Sequence, residues 1–556
     1  MATCRWWRRW KTSSGSSSRS TRSWRWSTFA RSSRSSRRRA SRTDVNVATA
    51  LLATGKASAP AVIAGDVEVT YEQLRDAVGE LSAQIIAASG SGDRVGLVAE
   101  NGPFFVVAYL AVIQAGRCVV PLPTAVQADW LTTVAAGTDM ALLLASGRAS
   151  RDEDLRAVLG TADIAIWVED EVDPLRLSTP SRAGSDVSTV DVDTGNDLAA
   201  LFFTSGSTGD PKGVMVTHRN IEANTTDIAE YLGLAPTDRA MIVLPLHYCY
   251  GLSVLHSHLA AGASVVLNNL FMFPEKVLDD LAARECTNFA GVPSHYQILL
   301  RKTRFTEREF PSLRTLQQAG GKLPEPFLRE LLEALPGVQL FVMYGQTEAT
   351  ARLSYLPPQR LADKLGSIGQ GLPSTILEVV DESGVPVEPG SGAVGEVVAT
   401  GDNITTGYWR DPDTTARYFD GGRLRTRDLA TVDEDGFIFI VDRARDFIKS
   451  MGNRISPKEI EDVIAELPQV VEVAVIGVPD EIWGEAVRAV VVPASNDGLD
   501  ESVVTAHCNA RLPNYKMPSQ VEIVDRLPKN EAGKVLKAAL RKQASESGAM
   551  AGGRNG

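Results

Sequence analysis

Leu201-Phe202-Phe203-Thr204-Ser205-Gly206-Ser207-Thr208-Gly209-Asp210-Pro211-Lys212-Gly213 changes character halfway along. An apolar run stops, and hydroxyls, glycines and one lysine take over. Glycine accepts backbone shapes that other residues resist, so such a loop can bring several N–H groups close to phosphate oxygens. Thr204, Ser205, Ser207 and Thr208 add neutral donors, Gly206 and Gly209 add freedom to turn, and Lys212 adds positive charge. A solvated Ser/Gly turn between two strands fits this composition equally well. The spacing departs from the P-loop pattern, because no Gly-Lys-Ser/Thr follows the first glycine at the required distance. Beyond the loop, Val214-Met215-Val216 reads as a second strand rather than a helix. The expectation is a phosphate loop of the hairpin type.

Strand-like and helix-like segments alternate on both sides of this loop. Arg94–Ala99 reads as a strand, Phe104–Gln114 as a helix and Cys118–Pro121 as a strand. Met241–Leu244, Leu252–Ala261 and Ser264–Leu267 repeat the pattern, as do Leu313–Gln318, Glu325–Ala334 and Val338–Met343. Repeated βαβ units imply mainly parallel sheets covered by helices, with ligands at the carboxyl ends of the strands. The stretches after Phe203 and after Met343 both lie at such ends. From Asp381 onward the turn signals Asp381-Glu382-Ser383-Gly384 and Asp433-Glu434-Asp435-Gly436 separate short strands, which suggests a small β subdomain. A compact α+β segment follows, with a helix over Pro457–Glu466, strands over Val471–Val478 and Arg488–Val492, and a helix over Glu501–Arg511. The fold class expected is therefore α/β. A large N-terminal domain (44–442) carries the parallel sheets and the β subdomain, a small α+β domain (443–545) follows, and 546–556 is expected to be a disordered tail.

Composition narrows the function. The 556 residues are 44% hydrophobic and 22% charged, as in a soluble globular enzyme of two or more domains. No apolar run is long enough for a membrane-spanning helix. Cys4, Cys118, Cys249, Cys286 and Cys508 are scattered without a CxxC pair, which argues against a disulfide scaffold or zinc site and suits a reducing cytoplasm. Residues 1–43 hold 12 Arg, one Lys and no acid, so the rest, with 44 basic and 68 acidic residues, carries a net charge of −24. A body this acidic is a poor partner for nucleic acid. The Arg/Ser/Trp-rich leader has no secretory core. It could be a transit peptide or a cationic arm, but GC-rich DNA read out of frame gives the same composition. We expect it to be disordered and without function.

Further motifs recur downstream. In Met343-Tyr344-Gly345-Gln346-Thr347-Glu348, Thr347 can donate to a phosphate and Glu348 can hold Mg²⁺ through oxygen, although a helix-start capping pattern uses the same residue types. Arg425-Thr426-Arg427-Asp428-Leu429 supplies a carboxylate suited to a sugar diol, where an Asp after a strand is otherwise an ordinary turn residue. Asp442-Arg443-Ala444-Arg445-Asp446-Phe447-Ile448-Lys449-Ser450-Met451-Gly452 is a charge cluster at the boundary between the two domains, and Leu527-Pro528-Lys529-Asn530-Glu531-Ala532-Gly533-Lys534 ends in a lysine.

Taken in order, these segments and the 201–213 loop closely resemble the signatures of the AMP-forming adenylating enzymes. That superfamily includes acyl-CoA and aryl-CoA ligases, adenylation domains of peptide synthetases and luciferases. The resemblance spans about Val67 to Lys537. It implies Tyr344, Gly345 and Gln346 beside the nucleotide, Thr347 on the α-phosphate and Glu348 on magnesium. Asp428 would hold the ribose hydroxyls, in a segment where Arg427 replaces the usual glycine, and Arg443 would contact the ribose or a phosphate. Arg445 stands at the hinge position, a solvated charge being the equal alternative. Lys449 and Gly452, the latter in the thiol tunnel, would line the site after the C-terminal lid rotates, and Lys534 would be the catalytic lysine. Gly320-Gly321-Lys322 resembles the adenine-side strand end, with Gly321 and Lys322 toward the nucleotide and Gly320 toward the acid.

Pro245-Leu246-His247-Tyr248-Cys249-Tyr250-Gly251 resembles the segment that gates the acyl pocket. Peptide-synthetase domains place an Asp where Cys249 stands, and a thiol cannot pair with a buried ammonium, so an α-amino acid is disfavoured as substrate. His247, Tyr248, Cys249 and Gly320 are the expected pocket residues. Lys322 and Arg352 could meet an anionic group of the substrate or equally sit on the surface. The activity implied is an ATP- and Mg²⁺-dependent ligase joining a small carboxylic acid to a thiol, CoA first and the phosphopantetheine of an acyl carrier protein second. The resemblance also admits a non-thiol acceptor, a non-carboxylate substrate or, remotely, an inactive nucleotide-binding scaffold.

Overall fold

The computed structural model describes residues 45–125, 128–161, 164–177, 190–205, 211–443, 446–450, 453–480, 483–495, 498–530 and 533–552. The leader 1–43 lies outside them, as do residues 206–210, Arg445 and Gly452.

A six-stranded sheet runs in the order Ala165–Val168, Met140–Ala145, Arg94–Val98, Cys118–Leu122, Leu198–Ser205, Pro211–Thr217. Its pairs are parallel except the last, which is an antiparallel hairpin. In a nine-stranded sheet, the six strands from Pro60–Ala64 through Ser264–Leu267, Arg239–Ile242, Asn288–Gly291 and Thr315–Gln318 to Gln339–Tyr344 pair in parallel. Short antiparallel strands close both edges.

Helix Pro103–Gln114 explains how the two sheets share a core. Phe104 to Ile113 are all buried, so the helix is apolar on every face and needs cover on every face. It packs with Val95, Leu97 and Val119 of the six-stranded sheet and with Val62, Ala240, Ile242 and Val265 of the nine-stranded one. Burying each such side chain contributes roughly 1.5–3 kcal/mol before the entropy of ordering is subtracted.

The expected β subdomain is present. Thr375–Val380, Gly395–Gly401, Arg423–Val432 and Ile438–Arg443 pair antiparallel in sequence order. A further sheet pairs Val470–Asp480 with Gly484–Pro493, to which Ile448–Ser450 and Gln520–Ile523 add, and helix Pro457–Ala465 packs against it. The tail departs from expectation, since Lys537–Gly552 is one helix and residues 546–552 are helical. Ala, Lys, Gln and Glu favour that state, and Leu540 and Ala544 anchor the helix on Val471, Ala474 and Ile476. Among the described residues no helix is long and apolar enough to cross a membrane, and Cys118, Cys249, Cys286 and Cys508 are free and buried.

Candidate active site

The strands flanking the 201–213 loop form the expected hairpin, with Thr204 opposite Lys212 and Ser205 opposite Pro211. Gly206, Ser207, Thr208 and Gly209 lie outside the described residues. Lys212 is anchored from the far side. Its ammonium donates to Thr414 Oγ1 at 2.8 Å, lies 3.7 Å from Asp411 and sits 5.8 Å from the centre of the Tyr408 ring. Asp411 caps helix Pro412–Tyr418 by accepting from the Thr414 N–H, and the bonds from Thr414, with the charge of Lys212 behind them, hold its carboxyl below the usual range.

Strand Gln339–Tyr344 delivers the second motif. Gly345 is required there, because a Cβ would overlap the carbonyl of Ala351. A single 3₁₀ turn, Thr347–Ala349, follows. Two tyrosines each hold a carboxylate beside this turn: Tyr344 donates to Asp428 Oδ2 and Tyr408 to Glu348 Oε1, both at 2.6 Å. Burial, reinforced by the charge of Glu348, pushes the Tyr408 phenol far above its ordinary range, so it stays a donor. Thr347 is buried, with Oγ1 3.5 Å from Cys249 Sγ. Burial pushes that thiol up to about 11, which makes it a neutral wall residue and no nucleophile. Gln346 Nε2 is buried with no hydrogen-bond partner among the described residues, a donor left open beside the turn.

Asp428 needs one correction: it does not follow a strand but lies within Arg423–Val432. The reason is local. The register with Gly395–Gly401 slips between Glu396 and Val398, and Arg427 takes φ +65°, the left-handed region that favours glycine. That bulge turns Asp428 toward Tyr344 and accounts for the glycine usual at this position. Arg443 ends strand Ile438–Arg443 as the register partner of Asp428.

On the acid side, Asn101 clamps the gating segment: its Nδ2 donates to Leu244 O and its Oδ1 accepts from Leu246 N–H, both at 2.9 Å. Helix Cys249–Ala260 starts directly after Tyr248, and His247 and Tyr248 are half-buried at its mouth. Gly251 has no room for a side chain, since a Cβ would press on Pro245 O. Gly320, at φ +86°, packs on Val292, and Gly321 accepts from Gln318 Nε2 through its carbonyl at 2.8 Å. Lys322 pairs at 2.6 Å with Asp462 of helix Pro457–Ala465. Arg352 is not on the surface: it is 1% exposed, with its guanidinium 4.2 Å from the centre of the Tyr250 ring.

The loop carrying Lys534 reaches the same place. Asn530 grips it, taking the Lys534 N–H on Oδ1 at 2.9 Å and donating its own N–H to Lys534 O at 3.0 Å. Gly533 turns at φ +76° and accepts from Ser294 Oγ at 3.2 Å, and a Cβ on it would touch Val292, the residue on which Gly320 also rests. Lys449 is placed elsewhere, in the hairpin of Ile448–Ser450 with Asn453–Ile455, its amide N–H donating to Glu485. Among the described residues no hydrogen bond or ion pair joins it to Thr347 or Glu348. Reading the sequence missed Tyr408, Asn101 and the Asp411–Thr414 pair. None sits in a recognisable motif, although the Asp411-Pro412 capping signal was visible.

The family of AMP-binding enzymes matches residues 52–409, and the C-terminal domain of AMP-binding enzymes matches 459–534. The chain belongs to the AMP-binding enzymes. It is similar to a feruloyl-CoA synthase of an Amycolatopsis species, 34% identical over 488 residues that cover 87% of this chain and 96% of that one. It is also similar to the long-chain-fatty-acid–CoA ligase FadD13 of Mycobacterium tuberculosis, 31% identical over 86% of this chain and 94% of that one. Its structure resembles ATP-bound MatB from Rhodopseudomonas palustris, with a TM-score of 0.79 and 29% identity over 90% of this chain and 98% of that one.

Proposed function

We propose that this AMP-binding enzyme is an ATP-dependent ligase that activates a carboxylic acid as its acyl-adenylate and transfers the acyl group to a thiol, with CoA as that thiol. The observation that carries the reading is the pair of tyrosine-held carboxylates, Asp428 and Glu348, flanking the Gly345–Thr347 turn beside the phosphate hairpin. A sugar diol needs one carboxylate acceptor, and a magnesium triphosphate needs a second carboxylate near open donors.

In the first half-reaction a substrate carboxylate oxygen attacks the α-phosphorus of ATP, and the bond to the bridging oxygen breaks to release pyrophosphate. Thr347, Gln346, Lys212 and the N–H groups of the hairpin donate to phosphate oxygens, while Lys534 lies between carboxylate and α-phosphate and offsets the developing charge. Glu348 suits magnesium, because that ion commonly takes one or two protein carboxylates and completes its shell with phosphate oxygens and water. When bound, the ion would neutralise phosphate charge.

In the second half-reaction the thiol sulfur attacks the acyl carbon, AMP leaves with the electron pair of the broken C–O bond, and the thiol proton passes to solvent. Lys449 and Gly452 would serve this step after the C-terminal segment rotates about Arg445, a motion that also withdraws Lys534. The unpaired cysteines suit the reducing cytoplasm, where we place the enzyme.

The test is AMP release with Mg·ATP and CoA across fatty, aryl and hydroxy acids, with mass spectrometry of the products. Acid-dependent AMP together with an acyl-CoA is expected. Acyl-adenylate without thioester would replace CoA by a carrier protein or another acceptor. Bound ATP with no turnover on any of these acids would favour an acid outside the panel, a non-carboxylate substrate or a nucleotide-binding scaffold.

A further inference from the structure

Arg352 is the largest fully buried side chain of the described residues, and it carries a charge. No described carboxylate forms an ion pair with it. Its Nε donates to Met343 Sδ at 3.3 Å, a weak acceptor, the neutral hydroxyl of Tyr231 lies within reach of the guanidinium, and Nη2 is buried with no hydrogen-bond partner among the described residues. A guanidinium withdrawn from water without an anion costs several kcal/mol, more than stacking on one tyrosine returns.

The arrangement is nevertheless built with care. Asn224 takes the Arg352 N–H on Oδ1 at 3.3 Å, and its Nδ2 donates back to Arg352 O at 2.9 Å. Asn403 Nδ2 donates to the same carbonyl at 2.8 Å. Three bonds from two buried asparagines thus fix the backbone of one residue. The ring beneath the guanidinium is tied down as well, since the Tyr250 hydroxyl donates to Gln317 O at 2.8 Å. Tyr250 follows Cys249 on the helix that starts at the acyl gate, and Cys249 is the residue 3.5 Å from Thr347. The charge of Arg352 reaches that thiol, opposing the rise that burial imposes on it. The cation therefore stands preorganised in the wall shared by the gate helix and the Thr347 turn, with a donor open.

We propose that the acid activated here carries a second carboxylate, and that Arg352 receives it while the first carboxylate is adenylated. This rests on the ligase reading above and narrows it to a substrate class. A remote carboxylate would supply both the missing charge and the missing acceptor. An acid with only a hydrocarbon at that end would leave Nη2 unpaired, which is how a polar site rejects a substrate.

Pyrophosphate release is measured for dicarboxylic acids and for the monocarboxylic acids of equal length, straight-chain and aryl, with the wild type, Arg352→Met and Arg352→Lys. Melting curves establish that each variant folds. Methionine fills the same volume without a charge to bury, and lysine keeps the charge without the fork. The wild type is expected to favour the dicarboxylates by about 100-fold or more in kcat/KM. Arg352→Met is expected to lose most of that ratio, chiefly through KM, and Arg352→Lys to retain part of it. A wild type that turns over monocarboxylates equally well overturns the proposal and leaves the ligase intact. So does an Arg352→Met variant that slows both series by the same factor, which is the mark of a structural role. Silence with every acid in both series overturns the ligase reading itself.

Discussion

Tyr408 donates its phenolic hydrogen to Glu348 Oε1 at 2.6 Å, and the same ring lies under the ammonium of Lys212. The backbone makes this possible. Trp409 N–H donates to Gly213 O at 2.7 Å and Met215 N–H to Gly407 O at 3.0 Å, so the Tyr408 segment runs beside the outer strand of the phosphate hairpin. One side chain thereby sets the position of the candidate metal carboxylate relative to the phosphate loop.

Tyr408→Phe removes only the hydroxyl and leaves the half-buried carboxylate of Glu348 without that donor. A hydrogen bond to a charged group contributes about 1.5–3 kcal/mol, so KM for Mg·ATP should rise at least ~10-fold. Glu348→Ala should raise the magnesium requirement further. Magnesium titrations of the adenylation rate check both, and an unchanged requirement in Glu348→Ala would remove that residue from metal binding.

Lys534→Ala should slow adenylation by roughly 10²–10³-fold, about 3–4 kcal/mol of barrier, with ATP binding little changed. Gly533→Ala should act in the same direction with the lysine intact, because alanine disfavours φ +76° and its Cβ would meet Val292 and Ser294. Single-turnover adenylate formation separates both effects from thioester formation. A Lys534→Ala variant with a near-normal first half-reaction would contradict the role assigned.

Arg427→Gly should be more stable than Arg427→Ala by about 1 kcal/mol, the reverse of the usual order in a strand. Both substitutions remove the exposed contacts with Glu396 and Tyr418, so the comparison isolates the backbone at φ +65°. Scanning calorimetry reads the difference as a higher melting temperature for the glycine variant. An alanine variant of equal or greater stability would contradict a strained bulge.

Acid should destabilise the fold before the carboxylates titrate. Burial pushes the imidazoles of His256 and His295 down to about 3, and those of His218 and His258 to about 4, from an ordinary value of 6.5. Between those limits the unfolded chain binds more protons than the native one, so stability is complete above about pH 6.5–7 and falls as pH drops. Each such histidine loses about 1.4 kcal/mol per pH unit, or ~2 kcal/mol by pH 5. His256 stacks on Tyr109 with ring centroids 5.5 Å apart, and its Nε2 has no partner, so His256→Phe keeps the stacking and removes the proton site. Its melting temperature should fall less between pH 7 and 5 than that of the parent, and parallel profiles would refute the assignment.

What the chain determined by itself was everything that depends on near neighbours. The break after Phe203, the alternating Val214-Met215-Val216 and the succession of βαβ units are legible because turn and strand preferences are steric properties of a few adjacent residues. Tyr344, Asp428 and Lys534 were singled out differently, by the resemblance of their segments to a family's motifs rather than by local sterics. Partners were another matter. Asp428 falls inside a strand because a bulge at Arg427 slips the register against Glu396. Lys322, in the loop before helix Glu325–Ala334, meets Asp462 of helix Pro457–Ala465 only because segments distant in sequence pack together. Arg352, which in sequence is one charge near a turn, is buried because Asn224, Tyr250 and Asn403 close around it. Burial and pairing of a polar side chain depend on which surfaces pack against it, and only the tertiary structure settles that.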